Sequence, residues 1–104
     1  MVHEINNVTL SGQVGFVKKK FTSQNKLYIM FTVKQKNFEI RDGQVVGTLY
    51  DTYFISCFDD VAVRLGNIKE DDWVFISGRI SSYEDEKKKT TFSIIAEKVI
   101  KHGS

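Results

Sequence analysis

Proline is absent from all 104 residues, cysteine occurs once and histidine twice, and each scarcity closes a class of answer. Without proline the usual marker of a domain boundary is missing, and no linker, internal repeat or low-complexity tract interrupts the chain. We read one domain over residues 1–104, near the commonest domain size and long enough to bury a core without disulfide or metal staples. A lone Cys57 makes no intrachain disulfide and no thiolate metal site, which suits a reducing, intracellular setting. No stretch approaches the roughly 18 apolar residues of a membrane span, and Met1 to Asn7 holds no basic segment followed by an apolar run. Neither secretion nor membrane association is expected.

Catalytic parts are equally scarce. His3 and His102 lie near the termini, and no Ser, Cys or Lys has an obvious base in a recognisable arrangement. The seven glycines form neither GxxxxGK[ST] nor GxGxxG after a strand, so nucleotide hydrolysis and dinucleotide binding lack support. Asp59-Asp60 and Glu70-Asp71-Asp72 lack the alternating ligands and glycine of a calcium loop and read as helix-flanking surface charges. The expectation is a protein that is not an enzyme and carries no metal or cofactor.

What the sequence does hold is charge asymmetry and alternation. The net charge is only +2. Residues 1–50 carry seven basic side chains against three acidic ones, a balance of +4, and the remainder is −2. That division suggests one positive face or groove able to attract a polyanion. Val8, Leu10 and Val14 alternate with Thr9, Ser11 and Gln13, a first half-buried strand with Gly12 as its bend. Leu27, Ile29, Phe31 and Val33 take one face of a second strand, and Tyr28, Met30, Thr32 and Lys34 the other. Phe38 to Val46 reads as a projecting hairpin around Asp42-Gly43, a dipeptide that supplies the positive φ angles of a tight turn. From Thr48 to Phe58 one parity holds Tyr50, Phe54, Ser56 and Phe58, and the other holds Leu49, Tyr53, Ile55 and Cys57. Cys57 thereby reads as a core residue.

Val61, Ala62, Leu65 and Ile68 give Asp59 to Asp71 the spacing of one short amphipathic helix. Trp73 to Ile80 and Thr91 to Ile100 are a fourth and fifth strand, joined by a charged, flexible tip at Glu84 to Lys89. Three strands, a helix and two strands make an all-β, five-stranded Greek-key barrel with a short helix between strands 3 and 4 and long β-hairpin loops, the order of the oligonucleotide/oligosaccharide-binding (OB) fold.

Aromatic residues interleaved with basic ones match the two demands of single-stranded nucleic acid: bases stack on rings while phosphates need cations. Phe54, Phe58 and Tyr50 form the candidate platform. Lys34, Lys36 and Phe38 lead from the second strand toward Arg41 at the hairpin tip. The competing reading of each ring is cross-strand packing.

Four segments carry a resemblance to a known family: Asn6 to Gly12 (NNVTLSG), Asp51 to Cys57 with its Phe-Ile-Ser-Cys, Val74 to Ile80 (VFISGRI) and Ala96 to Val99 (AEKV). In their order and spacing the chain resembles the bacterial single-stranded DNA-binding proteins over nearly its whole length. The resemblance implies non-sequence-specific binding of single-stranded DNA, with RNA as an option, in replication, recombination or repair. It also implies a cytoplasmic, nucleoid-associated location and a homo-oligomer, dimer or tetramer. It sets Phe54 and Phe58 at two base-stacking positions, Phe38 near a third and Tyr83 near a fourth, on a hairpin shorter than the family's usual one. Phe16-Val17-Lys18-Lys19-Lys20 stands where the family has an acidic residue and proline, making that loop basic. Lys18 and Lys20 join the candidate phosphate contacts there, with Arg79 from VFISGRI. The family's acidic recruiting tail has no counterpart before Ser104, so contact with replication proteins by that route is not expected. Leu10-Ser11-Gly12 and the last strand also resemble primosomal replication protein N, which implies a restart factor meeting primosome proteins. From another class, an OB module that binds protein rather than nucleic acid would turn Phe54 and Phe58 into subunit contacts.

Overall fold

In the computed structural model, which describes residues 4–102, five strands and one helix follow in chain order. They are β1 (Val8–Phe21), β2 (Leu27–Arg41), β3 (Gln44–Phe58), α1 (Asp59–Leu65), β4 (Trp73–Glu84) and β5 (Thr90–His102). Around the barrel the order is β1-β2-β3-β5-β4, and β4 pairs back onto β1 to close it. All pairs are antiparallel except β3 with β5, which are parallel and meet only at Ile55 with Ile94 and Ser56 with Ile95. This is the OB fold, as the element order leads one to expect.

Alternation builds the core. The inward parity of β2 and β3 places Ile29, Phe31, Val33, Ile55 and Cys57 wholly out of solvent, and Val74, Ile76 and Ala96 meet them from β4 and β5. Each fully buried side chain of that size contributes about 1.5–3 kcal/mol relative to exposure. Ala62 and Ile68 close one end of the barrel from α1 and the segment after it.

Three expectations need correction. The helix does not run to Asp71 but ends at Leu65, because Gly66 takes a positive φ of 38° and its N–H bonds back to the Ala62 carbonyl. Asp72 is accordingly not a surface charge. It is buried, its carboxylate accepts from the Lys69 N–H at 3.0 Å, and Lys101 lies 3.8 Å away. The irregularity of β1 falls not at Gly12 but between Val14 and Val17. Gly12 is instead pressed against β2, where a Cβ would stand 2.5 Å from the Lys34 carbonyl oxygen.

The strands are longer than the sequence pattern marks, because β2–β3 and β4–β5 continue past the barrel as hairpins. Asp42 and Gly43 turn the first with φ of 51° and 78°, as a two-residue loop of mirror-image type requires. At the second tip the Asp85 carboxylate accepts from the N–H groups of Lys87 and Lys89, so this charged turn is tied in place. The projections show in the radius of gyration, 15.8 Å, against about 13 Å for a compact chain of this length.

Candidate nucleic-acid interface

Directly opposed residues of antiparallel strands share a face, so register alone assembles the outer surface of β1, β2 and β3. One cross-strand row reads Lys20, Tyr28, Phe58, and the next Lys18, Met30, Ser56. Beyond them Thr32 faces Phe54, Lys34 faces Thr52 and Lys36 faces Tyr50. The irregularity in β1 makes the first two rows possible. Before it Val14 opposes Val33 and points inward; after it Val17 opposes Phe31 and points inward, so one extra residue has switched parity. Lys18 and Lys20 therefore emerge beside Met30 and Tyr28. In an unbroken alternation Lys19 would take that side; it reaches the helix end instead, where its Nζ donates to the Gly66 carbonyl.

The β4–β5 hairpin rises opposite this surface and makes a groove of about 500 Å³. Tyr28, Met30, Phe54, Ser56 and Phe58 are its floor; Ser81, Tyr83, Thr91, Phe92, Ser93 and Ile95 are its wall. Tyr28 and Phe58 stack with ring centroids 4.8 Å apart and planes 26° apart. The Tyr28 hydroxyl lies 3.6 Å from Met30 Sδ and 3.4 Å from Ser56 Oγ. Phe54 and Phe58 still expose 50% and 43% of their surface, leaving ring faces free for a planar apolar partner. Arg79 opposes Ile95 in the same hairpin and stands at the groove's far edge. Phe54 is also the ridge to a neighbouring groove of about 460 Å³, where Lys34 and Phe16 lie with Glu70 and Asp71.

The candidate residues thus divide. Phe54, Phe58 and Tyr83 line one groove, with Lys18, Lys20 and Arg79 at its margins and Lys34 over the ridge. Lys36, Phe38, Tyr50 and Arg41 sit apart on the β2–β3 hairpin, where the Lys36 ammonium is 5.9 Å from the Phe38 ring centroid. Arg41 is not a free cation: its guanidinium is 2.8 Å from the Glu39 carboxylate. The sequence reading had not brought in Tyr28, Met30 and Phe92. Tyr28 and Met30 share the outward parity of Lys34 and were legible by that rule. Phe92 was not, because its place depends on the β4–β5 register.

Burial pushes the Cys57 thiol up to about 12, consistent with a core side chain and not a nucleophile. His102 closes β5 opposite Trp73, far in register from the groove, and His3 lies outside the described residues. Among the described residues no group of three or more His, Cys, Asp or Glu side chains is placed to hold a metal ion, and no helix is long and apolar enough to cross a membrane.

No protein-family model and no curated protein matches the sequence. Solved structures do match in fold. The chain is similar to that of a Plasmodium falciparum SSB complex with ssDNA, with a TM-score of 0.82 and 17% identity over 99% of both chains. It is also similar to the single-stranded DNA binding protein from Thermus aquaticus. The wild-type structure gives a TM-score of 0.80 at 17% identity, and a deletion mutant 0.83 at 16%. These matches cover 95% of this chain but 50% and 51% of the Thermus chains, so the chain spans about half their length. At such identities the likeness is one of fold.

Proposed function

We propose that this protein binds single-stranded nucleic acid, DNA in the first place, by stacking bases on Phe54 and Phe58 while Lys18, Lys20 and Arg79 meet the phosphates. The observation that carries this reading is one groove floored by the exposed rings of Phe54 and Phe58, with Lys20 in the cross-strand row of Tyr28 and Phe58 and Lys18 in the next row, beside Met30. Rings and cations on one surface answer a strand whose bases and phosphates alternate. The Plasmodium chain of the same fold was solved with ssDNA, which supports the choice of partner. Tyr83 and Phe92 would hold bases from the wall, and Lys34, Lys36, Phe38, Tyr50 and Arg41 would extend the path along the β2–β3 hairpin. Every base offers a π-face, so sequence preference is weak. The role is passive protection: exposed strands are kept unpaired at the nucleoid during replication, recombination or repair, and nothing is hydrolysed. A restart factor working beside primosome proteins would use the same surface.

Fluorescence anisotropy of labelled dT, rU and duplex oligomers, titrated at low and moderate salt, tests this directly. Tight binding to single strands that weakens steeply with salt is the expected result. Equal affinity for duplex, or none for either, refutes it.

Self-association is a second part of the proposal, supported by apolar surface bordering the groove and on the outer sheet face. Val8, Leu10, Tyr53, Ile80 and Ile94 line a recess of about 510 Å³ that meets the groove at Phe54, Phe92 and Ser93. On the outer sheet face Trp73 and Phe75 are 55% and 46% exposed. A second copy covering either surface makes a dimer, and both together a tetramer. Sedimentation equilibrium reads the outcome; a monomer at all concentrations rejects it.

A further inference from the structure

We propose that Met30 is an oxidation-sensitive site in this groove, where conversion of its thioether to a sulfoxide weakens single-strand binding; the inference rests on the single-strand reading above. Met30 stands mid-strand in β2, half-exposed on the groove floor, between Lys18 on one side and Ser56 on the other. The Tyr28 hydroxyl donates to its sulfur at 3.6 Å. A thioether is a weak acceptor and a soft, apolar neighbour for a base. A sulfoxide is polar and accepts strongly.

The chemistry is a two-electron oxygen transfer from a peroxide. A sulfur lone pair of Met30 attacks one oxygen of hydrogen peroxide, an S–O bond forms as the O–O bond breaks, and the second oxygen leaves as hydroxide that takes the proton of the transferred oxygen to become water; sulfur is oxidised and peroxide reduced. The new oxygen has two donors at hand. One is the Tyr28 hydroxyl already directed at the sulfur. The other is the Lys18 ammonium, whose side chain starts from the directly opposed position, about 5 Å away between Cβ atoms. Holding the sulfoxide draws Lys18 away from phosphate and sets a dipole into the apolar floor between Phe54 and Phe58. The remaining sulfur among the described residues, Cys57, is fully buried in the core and out of an oxidant's reach. A bound strand covers the groove floor, so DNA also shields Met30 from peroxide.

The experiment treats the folded protein with hydrogen peroxide, locates the added oxygen by peptide mass spectrometry, and measures dT-oligomer anisotropy before and after. Oxidation at Met30 is expected to lower affinity about three- to tenfold, the scale of one weakened stack or contact, with an unchanged circular dichroism spectrum. Excess dT oligomer should slow the modification. Whatever affinity Met30→Leu starts from, peroxide should leave it unchanged, Met30→Gln should show the loss without oxidant, and methionine sulfoxide reductase should restore the affinity of the oxidised protein. The untreated protein separates the two ideas. If it binds no single strand, the functional reading fails. If it binds and oxidation at Met30 leaves affinity unchanged, or Met30→Leu stays equally sensitive, only the role of Met30 is overturned.

Discussion

Two outward faces of the barrel expose rings to a similar degree but differ in what surrounds them. On β1, β2 and β3, Tyr28 and Phe58 stand in one row with Lys20, and Lys18 heads the next row, between Phe58 and Phe54. On β1, β4 and β5 the rows read Gln13, Trp73, His102, then Ser11, Phe75, Ile100, then Thr9, Ser77, Lys98. The second face has one lysine, at its margin, while the first has ammonium groups next to its rings. Exposed aromatic surface alone does not indicate nucleic acid. Cations in register with the rings are what distinguish a stacking groove from a surface suited to another apolar face.

The first face depends on which way β3 points, so the widest test is its parity. If Phe58 faces out, Cys57 faces in, and burial raises its thiol pKa from 9.0 to about 12. At pH 8 that lowers the thiolate fraction about a thousandfold. Alkylation by iodoacetamide should therefore be very slow in the native protein and rapid in denaturant; rapid native labelling would reverse the parity and dissolve the comparison. The same shift has a sign for stability. The folded pKa lies above the unfolded one, so the contribution of the neutral thiol is intact below pH 9 and lost as pH rises from 9 toward 12. Chemical denaturation across that range reads it.

Next in size is the exchange of faces. Phe54→Ala or Phe58→Ala should cost about 1–3 kcal/mol of single-strand affinity, and Phe58→Ala, whose ring does not line the recess of Val8 and Leu10, should leave self-association unchanged. Trp73→Ala should do the reverse. Titrations and sedimentation on the same three variants decide it, and a Trp73 variant that loses DNA affinity would merge the two faces into one site.

Parity made most of this legible in the sequence. Tyr50, Phe54 and Phe58 on one side of β3 and Ile55 and Cys57 on the other follow from alternation alone, and Asp42-Gly43 fixes its hairpin. Alternation fails where the chain changes phase. Lys18 and Lys20, and not Lys19, face the groove because of an irregularity between Val14 and Val17; Gly15 lies within it, but alternation alone does not choose Gly15 over Gly12 as its place. Ion pairs are also invisible at this level. Arg41 read as a free cation because Glu39, two residues back on the same face, carries no signal of pairing. Phe92, opposite Ser82 and on the parity of Ile94, borders both the groove and the neighbouring recess, which alternation does not foretell.

A smaller effect separates the cations by position. Lys18→Gln combined with Lys20→Gln should lower the slope of log affinity against log salt by about 1.4, the value for two phosphate contacts to a single strand. Serine or glutamine in place of Lys98 on the other face should leave the slope where it was. An unchanged slope in the double variant would mean that the phosphates run elsewhere.

The smallest expected effect runs in the opposite direction and concerns the hairpin beyond the groove. Glu39 holds Arg41 at 2.8 Å, and both are on the surface, so the pair itself is worth little. It nevertheless occupies the guanidinium and adds a negative charge where the β2–β3 hairpin would follow the strand. Glu39→Gln removes both obstacles. If the path reaches that tip, single-strand affinity at low salt should rise about two- to threefold, and the gain should fade as salt screens it. Arg41→Gln in the same background should cancel the gain. If Glu39→Gln changes nothing at any salt, the strand leaves the protein before the hairpin tip, and the groove floor with Lys18 and Lys20 carries the binding alone.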